Sequence, residues 1–163
     1  MNARRALRAP IIQGQNVVEG YLADLDDADL LVRAVPETNH IAWQLGHCIY
    51  AEHFMVDLVR PGCMPKLPQG FHEQHNNDTA ANDDPKAFLT KAQYLELFQA
   101  QRTGTLALLD ELSDDQLSEP APKELQSFLD TVGGVFAMQG THWVMHAGQW
   151  AVIRRKLGRP PLF

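Results

Sequence analysis

Three histidines carry the most specific chemistry in this sequence. His142 and His146 are four residues apart in a helical run, so their rings project from one face, one turn apart, and can both reach a single ion. His47 lies on the apolar stripe of another helical run, beside Trp43, Tyr50 and Phe54, and can complete the set from a facing helix. Imidazole nitrogens on an apolar face cost a few kcal/mol unless they find partners. A metal ion is one such partner, and a backbone carbonyl or carboxylate in the core is the other; for an i, i+4 pair the two readings stand about even. Three neutral imidazoles leave a divalent charge uncompensated and at least one coordination position free, which is the pattern of catalytic sites. Lowering the pKa of a bound water or holding a thiol as thiolate are both available to such an ion. No obvious general base accompanies the histidines, which favours a thiol nucleophile over activated water. Trp143 stands where a zincin helix carries its glutamate, which excludes that protease mechanism.

The remaining candidates read as structural. His40 is seven residues before His47, two turns away and too far to share an ion in a straight helix. His53 points elsewhere, and His72 and His75 fall in a polar connection where solvated histidines are expected. Cys48 diverges from its neighbour His47 by about 100° around the helix and reads as a packed thiol. Glu19, Glu52 and Arg102 are read as solvated surface charges rather than supports for the site. No glycine-rich phosphate loop or Ser/His/Asp arrangement occurs.

Positioning these residues requires long helices. Ile11, Ile12, Val18, Leu22 and Leu25 predict a first helix over 11–25, with Asp26 capping a short turn. A second spans 38–59, capped by Thr38 or Asn39 and stopped by Pro61 and Gly62. Residues 60–84 form a long connection rich in Pro, Gly, Asn and Asp that could cross the whole bundle. Asp84 and Pro85 resemble an N-cap and first turn, and Phe88, Ala92, Leu95, Leu109 and Leu112 carry the third helix onwards. The last helix covers 131–157; Arg154 to Lys156 suit its negative end, and Gly158 before Pro160 ends it. A weak echo relates Leu25–Leu30 to Leu112–Leu117, each following a helix and leading into a histidine helix; Ser113 and Gln116 also fit a capping box. Two related helix pairs packed face to face, or two good helix starts, both account for it.

The chain as a whole sets the bounds. Its 163 residues, 45% apolar and 21% charged, suit one globular domain over 1–163 able to fold without a structural metal. A net charge of −6 with scattered basic residues argues against a nucleic-acid surface. No stretch approaches the roughly 18 uninterrupted apolar residues of a membrane span, and the N-terminal run with Arg4, Arg5 and Arg8 is too short and polar for a secretory signal, so the expected location is cytoplasmic. Two cysteines give no reason to assume an oxidising compartment.

Taken together, the segments Leu22–Leu30, Asn39–His47 and Thr131–Gln149 with Arg154–Gly158 resemble the DinB/YfiT-like superfamily, and the likeness fails mainly over 60–84. The resemblance implies an all-α four-helix bundle with a long crossover between helices 2 and 3, and one nickel or zinc ion at His47, His142 and His146. Many members place a further histidine before the last ligand, where Met145 stands here, and some an arginine after it, where Ala147 and Gly148 stand; shared substrate contacts are therefore not implied. Members of known activity use the metal with low-molecular-weight thiols, as S-transferases or isomerases acting on small electrophiles. The competing expectations are a metal-dependent hydrolase and a non-catalytic metal-binding or interaction bundle, in which a helical face makes a homodimer.

Overall fold

The computed structural model describes residues 2–162. Its elements in chain order are α1 (Ala3–Leu22), α2 (Ile41–Val59), the short α3 (Phe71–Gln74), α4 (Lys91–Glu111), the short α5 (Asp114–Ser118) and α6 (Val132–Lys156). No strand forms among the described residues, and Pro120 and Thr131 make an isolated antiparallel bridge. No helix among them is long and apolar enough to cross a membrane.

The four long helices close a ring in which α1 packs on α6, α6 on α2, α2 on α4 and α4 on α1. Successive long helices, α1 with α2 and α4 with α6, therefore lie across the core from each other, and the two histidine helices are neighbours. The tightest seam is α1 against α6. A side chain at Gly140 would place its Cβ 2.7 Å from the Pro10 carbonyl oxygen, and one at Gly14 would come 3.1 Å from the Gly140 oxygen. The two glycines let the backbones approach at that crossing.

Helix boundaries follow side-chain caps. α1 begins eight residues before the predicted start, because Asn2 accepts from the Arg5 amide at 3.0 Å and Arg4 and Arg8 anchor the first turns to Asp110. Pro10 is carried inside it. α2 is capped by His40 rather than Thr38 or Asn39: its Nδ1 accepts from the Trp43 amide at 3.1 Å, so Nε2 carries the proton and donates to the Asn82 carbonyl at 3.0 Å. α4 starts at Lys91, later than the Asp84–Pro85 signal, because the Thr90–Gln93 capping box satisfies two amide groups there. Asp84 caps only the 3₁₀ turn Pro85–Ala87. The Ser113–Gln116 box opens α5 as predicted, Asp26 accepts from the Asp29 amide, and α6 ends at Gly158, whose φ of +72° a side chain would strain. Both segments of the internal echo form short helical turns, Asp29–Leu31 and Asp114–Ser118.

The chain between Arg60 and Thr90 is ordered against the bundle rather than free of it. Phe71 and His75 bury into the core from α3 and its end, and Met64 and Pro65 press on α4 at Gly104. Arg154, expected to serve the α6 dipole, is 2% exposed and instead clamps the end of α1, donating to the Tyr21 carbonyl and pairing with Asp24.

Candidate metal centre

The fold brings His47 from α2 together with His142 and His146 from α6, one nitrogen of each lying within 4.8 Å of the others. Ring centroids are 5.3 Å apart for His47 and His142, 5.2 Å for His47 and His146, and 4.8 Å for His142 and His146. His47 lies flat on Trp43, centroid to centroid 5.1 Å with 7° between planes, which fixes its ring. His40 is fully buried in its cap, 4.6 Å edge-on from Phe88, and takes no part in this cluster.

Gln44 sets the tautomer of His146. Its amide nitrogen donates to the Asn39 carbonyl and to Gln149 Oε1 at 3.2 Å, and its oxygen accepts from Trp150 Nε1 at 2.9 Å. The same oxygen faces His146 Nδ1 at 3.0 Å, so that nitrogen carries the hydrogen and Nε2 presents a lone pair. That Nε2 lies 3.1 Å from His142 Nε2. Two groups can satisfy such a pair of nitrogens: a proton between them, or a cation with bonds of about 2.1 Å, which brings ligand nitrogens to about 3–4 Å from each other. The donor set, neutral imidazoles with one lone pair pre-aimed by an outer hydrogen bond, fits a divalent metal ion. Gln44, one helical turn before His47, was invisible to spacing arguments, because its role depends on α6 lying beside it.

Burial keeps the cluster unprotonated. It lowers His47, takes His142 to about 4 with help from His47, and takes His146 to about 3 with help from His142 and His47.

Two further expectations are corrected by the packing. His75, read as solvated, is 2% exposed: its Nδ1 donates to the Phe71 carbonyl at 2.7 Å, and its Nε2 accepts from the Tyr94 hydroxyl at 2.7 Å. Burial takes it to about 4. Its ring occupies the space where a Cβ at Gly46 would come within 2.0 Å, so that glycine lets the crossover dock beside His47. Glu52 and Arg102, read as surface charges, are fully buried and 2% exposed, and lie 3.2 Å apart. Thr105 donates to one Glu52 oxygen at 2.6 Å and Trp143, the residue after His142, to the other at 2.8 Å. Burial pushes the Glu52 carboxyl up, while Arg102, Thr105 and Trp143 pull it back. Glu19 accepts from Gln15 at a half-buried site, His53 contacts Gln101, and Cys48 is fully packed, its thiol pushed well up by burial.

A pH dependence of stability follows. In an unfolded chain these histidines titrate near pH 6.5. Above that value neither state holds the protons. As pH falls below it, the unfolded chain binds protons that the folded chain refuses, so stability declines until the folded values near 4 are reached. His75 alone accounts for about 3 kcal/mol of this loss. Metal-free protein is expected to show a melting temperature that drops steadily from pH 6.5 to 4 in thermal scans; a flat profile would contradict the burial of these rings.

A cleft of about 490 Å³ opens on His47 and His142. Ala51, Met55, Leu125 and Met138 line it, and exposed Phe54 and Phe128 stand among its lining residues. Phe54, placed by periodicity on the apolar face of α2, is 41% exposed because it faces this cleft rather than the core. Glu124 and Phe128 come from the α5–α6 connection, which no spacing argument tied to the histidines.

A family model described as the DinB superfamily matches residues 11–150. No curated protein matches the chain significantly. A solved structure of a conserved protein from Enterococcus faecalis is similar over 98% of this chain and 99% of its own, with a TM-score of 0.72 at 14% identity, a likeness of fold.

Proposed function

The chain belongs to the DinB superfamily, and from that premise we propose that it holds one divalent ion, nickel or zinc, through His47, His142 and His146 and uses it in thiol-dependent transfer or isomerisation of a small electrophile. The observation that supports this most directly is the trio of imidazoles from two helices, one of them locked by Gln44 with its lone pair inward, two of which, His47 and His142, line a largely apolar cleft. When bound, such an ion supplies Lewis acidity and lowers the pKa of a thiol or water that reaches it.

The surrounding residues favour a thiol. Glu52 is fully committed to Thr105, Trp143 and Arg102, and His75 has both nitrogens engaged, so neither is free to take a proton from water. Glu124 is the carboxylate among the cleft residues, and it is exposed to solvent. Ala51, Met55, Leu125 and Met138 give the cleft apolar surface, and a nucleophile held in apolar surroundings is strengthened. The same reading takes the protein as a single cytoplasmic domain without a nucleic-acid or membrane partner.

Cobalt as a spectroscopic substitute tests the reading. Adding 2-mercaptoethanol to the cobalt-loaded protein is expected to produce a sulfur-to-metal charge-transfer band, weakened in His47→Ala. An unchanged spectrum across thiols and pH, with cobalt still bound, would remove thiol chemistry and leave a metal-binding or interaction bundle.

A further inference from the structure

The cleft beside the histidines presents exposed aromatic side chains. Phe54 and Phe128, two of the large apolar side chains left exposed in this protein, both line it, at 41% and 56% exposure. They come from different parts of the chain, α2 and the α5–α6 connection. Tyr50 and His72 add a stacked pair, centroids 4.0 Å apart with 14° between planes, and Met55, Met138, Ala51 and Leu125 add apolar surface, while Asn76 and Asn77 supply neutral polar groups. Flat aromatic surfaces of this kind recognise flat apolar bodies by offset stacking, and thioethers adapt to their edges. The volume of about 490 Å³ lies in the range of sites for small organic ligands.

Charge narrows the occupant further. No lysine or arginine lines this cleft, and its one acidic lining residue is Glu124. Arg102 is committed to Glu52 and the Gln139 carbonyl. Lys66 lies in the neighbouring pocket past Tyr50 and His72, together with Glu73, so that pocket carries no excess positive charge. A carboxylate or phosphate on the body of a ligand, away from the His47–His142 region, would lose hydration here and gain no cationic side chain as partner, and Glu124 would repel it.

We infer that this cleft binds an uncharged molecule with a flat, preferably aromatic, apolar body, whose reacting group is directed at the His47–His142 end. The direction of the reacting group rests on the metal reading; the neutral, flat body does not. The inference separates this protein's substrate from anionic electrophiles and from thiols that carry several carboxylates.

Two titrations test it. In the first, protein stripped of metal with a chelator and then dialysed is titrated with 2-naphthol and with 2-naphthoate, following the ring signals of His72, Phe54 and Phe128 by NMR. The naphthol is expected to shift those signals and to bind at least tenfold more tightly than the anion. Phe128→Ser and Phe54→Ser, at exposed positions that tolerate polar residues, should each weaken it about three- to tenfold. Naphthoate binding as tightly as naphthol, or no shift with either, overturns the inference whatever the metal result. In the second, zinc-loaded protein is titrated with imidazole, 4-phenylimidazole and 4-(4-carboxyphenyl)imidazole. The phenyl compound should bind at least tenfold more tightly than imidazole, and the carboxylate should abolish that gain. Naphthol binding in a protein that takes up no zinc would sink the metal reading and leave the cleft assignment standing.

Discussion

Replacing His142 and His146 together by alanine is expected to reduce divalent-ion affinity by at least a thousandfold, to the level of adventitious surface binding. The two rings are two of the three proposed ligands, and their nitrogens are 3.1 Å apart on a helix held in place by a Trp143–Glu52 bond and the Gly14–Gly140 crossing. Without them His47 belongs to no group of three metal-ligating side chains among the described residues. Gln44→Ala should give a smaller graded effect, about 10- to 100-fold, because it leaves all three ligands in place but frees the His146 tautomer. Competition titration with a zinc-binding dye on untagged protein measures both. Full stoichiometric binding by the double variant would refute the assignment, and a Gln44 variant with unaltered affinity would remove Gln44 from it.

The second large effect concerns the polar centre beneath the cluster. Glu52→Ala is expected to destabilise the fold by about 3–5 kcal/mol, because it strands a buried guanidinium and leaves the Thr105 hydroxyl and Trp143 indole N–H without their acceptor. Arg102 already has an unpartnered buried Nε, so little compensation is available to it. Glu52→Gln should cost less, since the amide oxygen still accepts one of those bonds. Adding Arg102→Met to Glu52→Ala should recover much of the loss, because the stranded charge is removed and an apolar side chain can pack on Phe98 and Trp143, which now lie 5.4 Å and 5.9 Å from the guanidinium. Urea unfolding at pH 7 provides the comparison. A Glu52→Ala variant within about 1 kcal/mol of the parent would show that water reaches this pair.

The sequence alone determined the four long helices, the three histidines as one candidate set, and the crossover between α2 and α4. The reason is local: the 3.6-residue period writes the apolar stripes into the order of residues, and an i, i+4 pair shares a face in any helix. The stops at Gly62 and Gly158 and the Ser113–Gln116 box were legible for the same reason, since a turn needs only its neighbours. The start of α4 was misplaced because two cap signals compete within a few residues, and the Thr90–Gln93 box satisfies more amides than Asp84 does. Only the tertiary structure decided the rest. Which helices lie side by side placed Gln44 against His146 across 102 positions and Glu52 against Trp143 across 91. It also turned His75 inward, because Gly46 leaves room for its ring and Tyr94 offers its hydroxyl. A charged or polar residue is buried when a partner from another element meets it there, and single-chain periodicity carries no record of which element that will be.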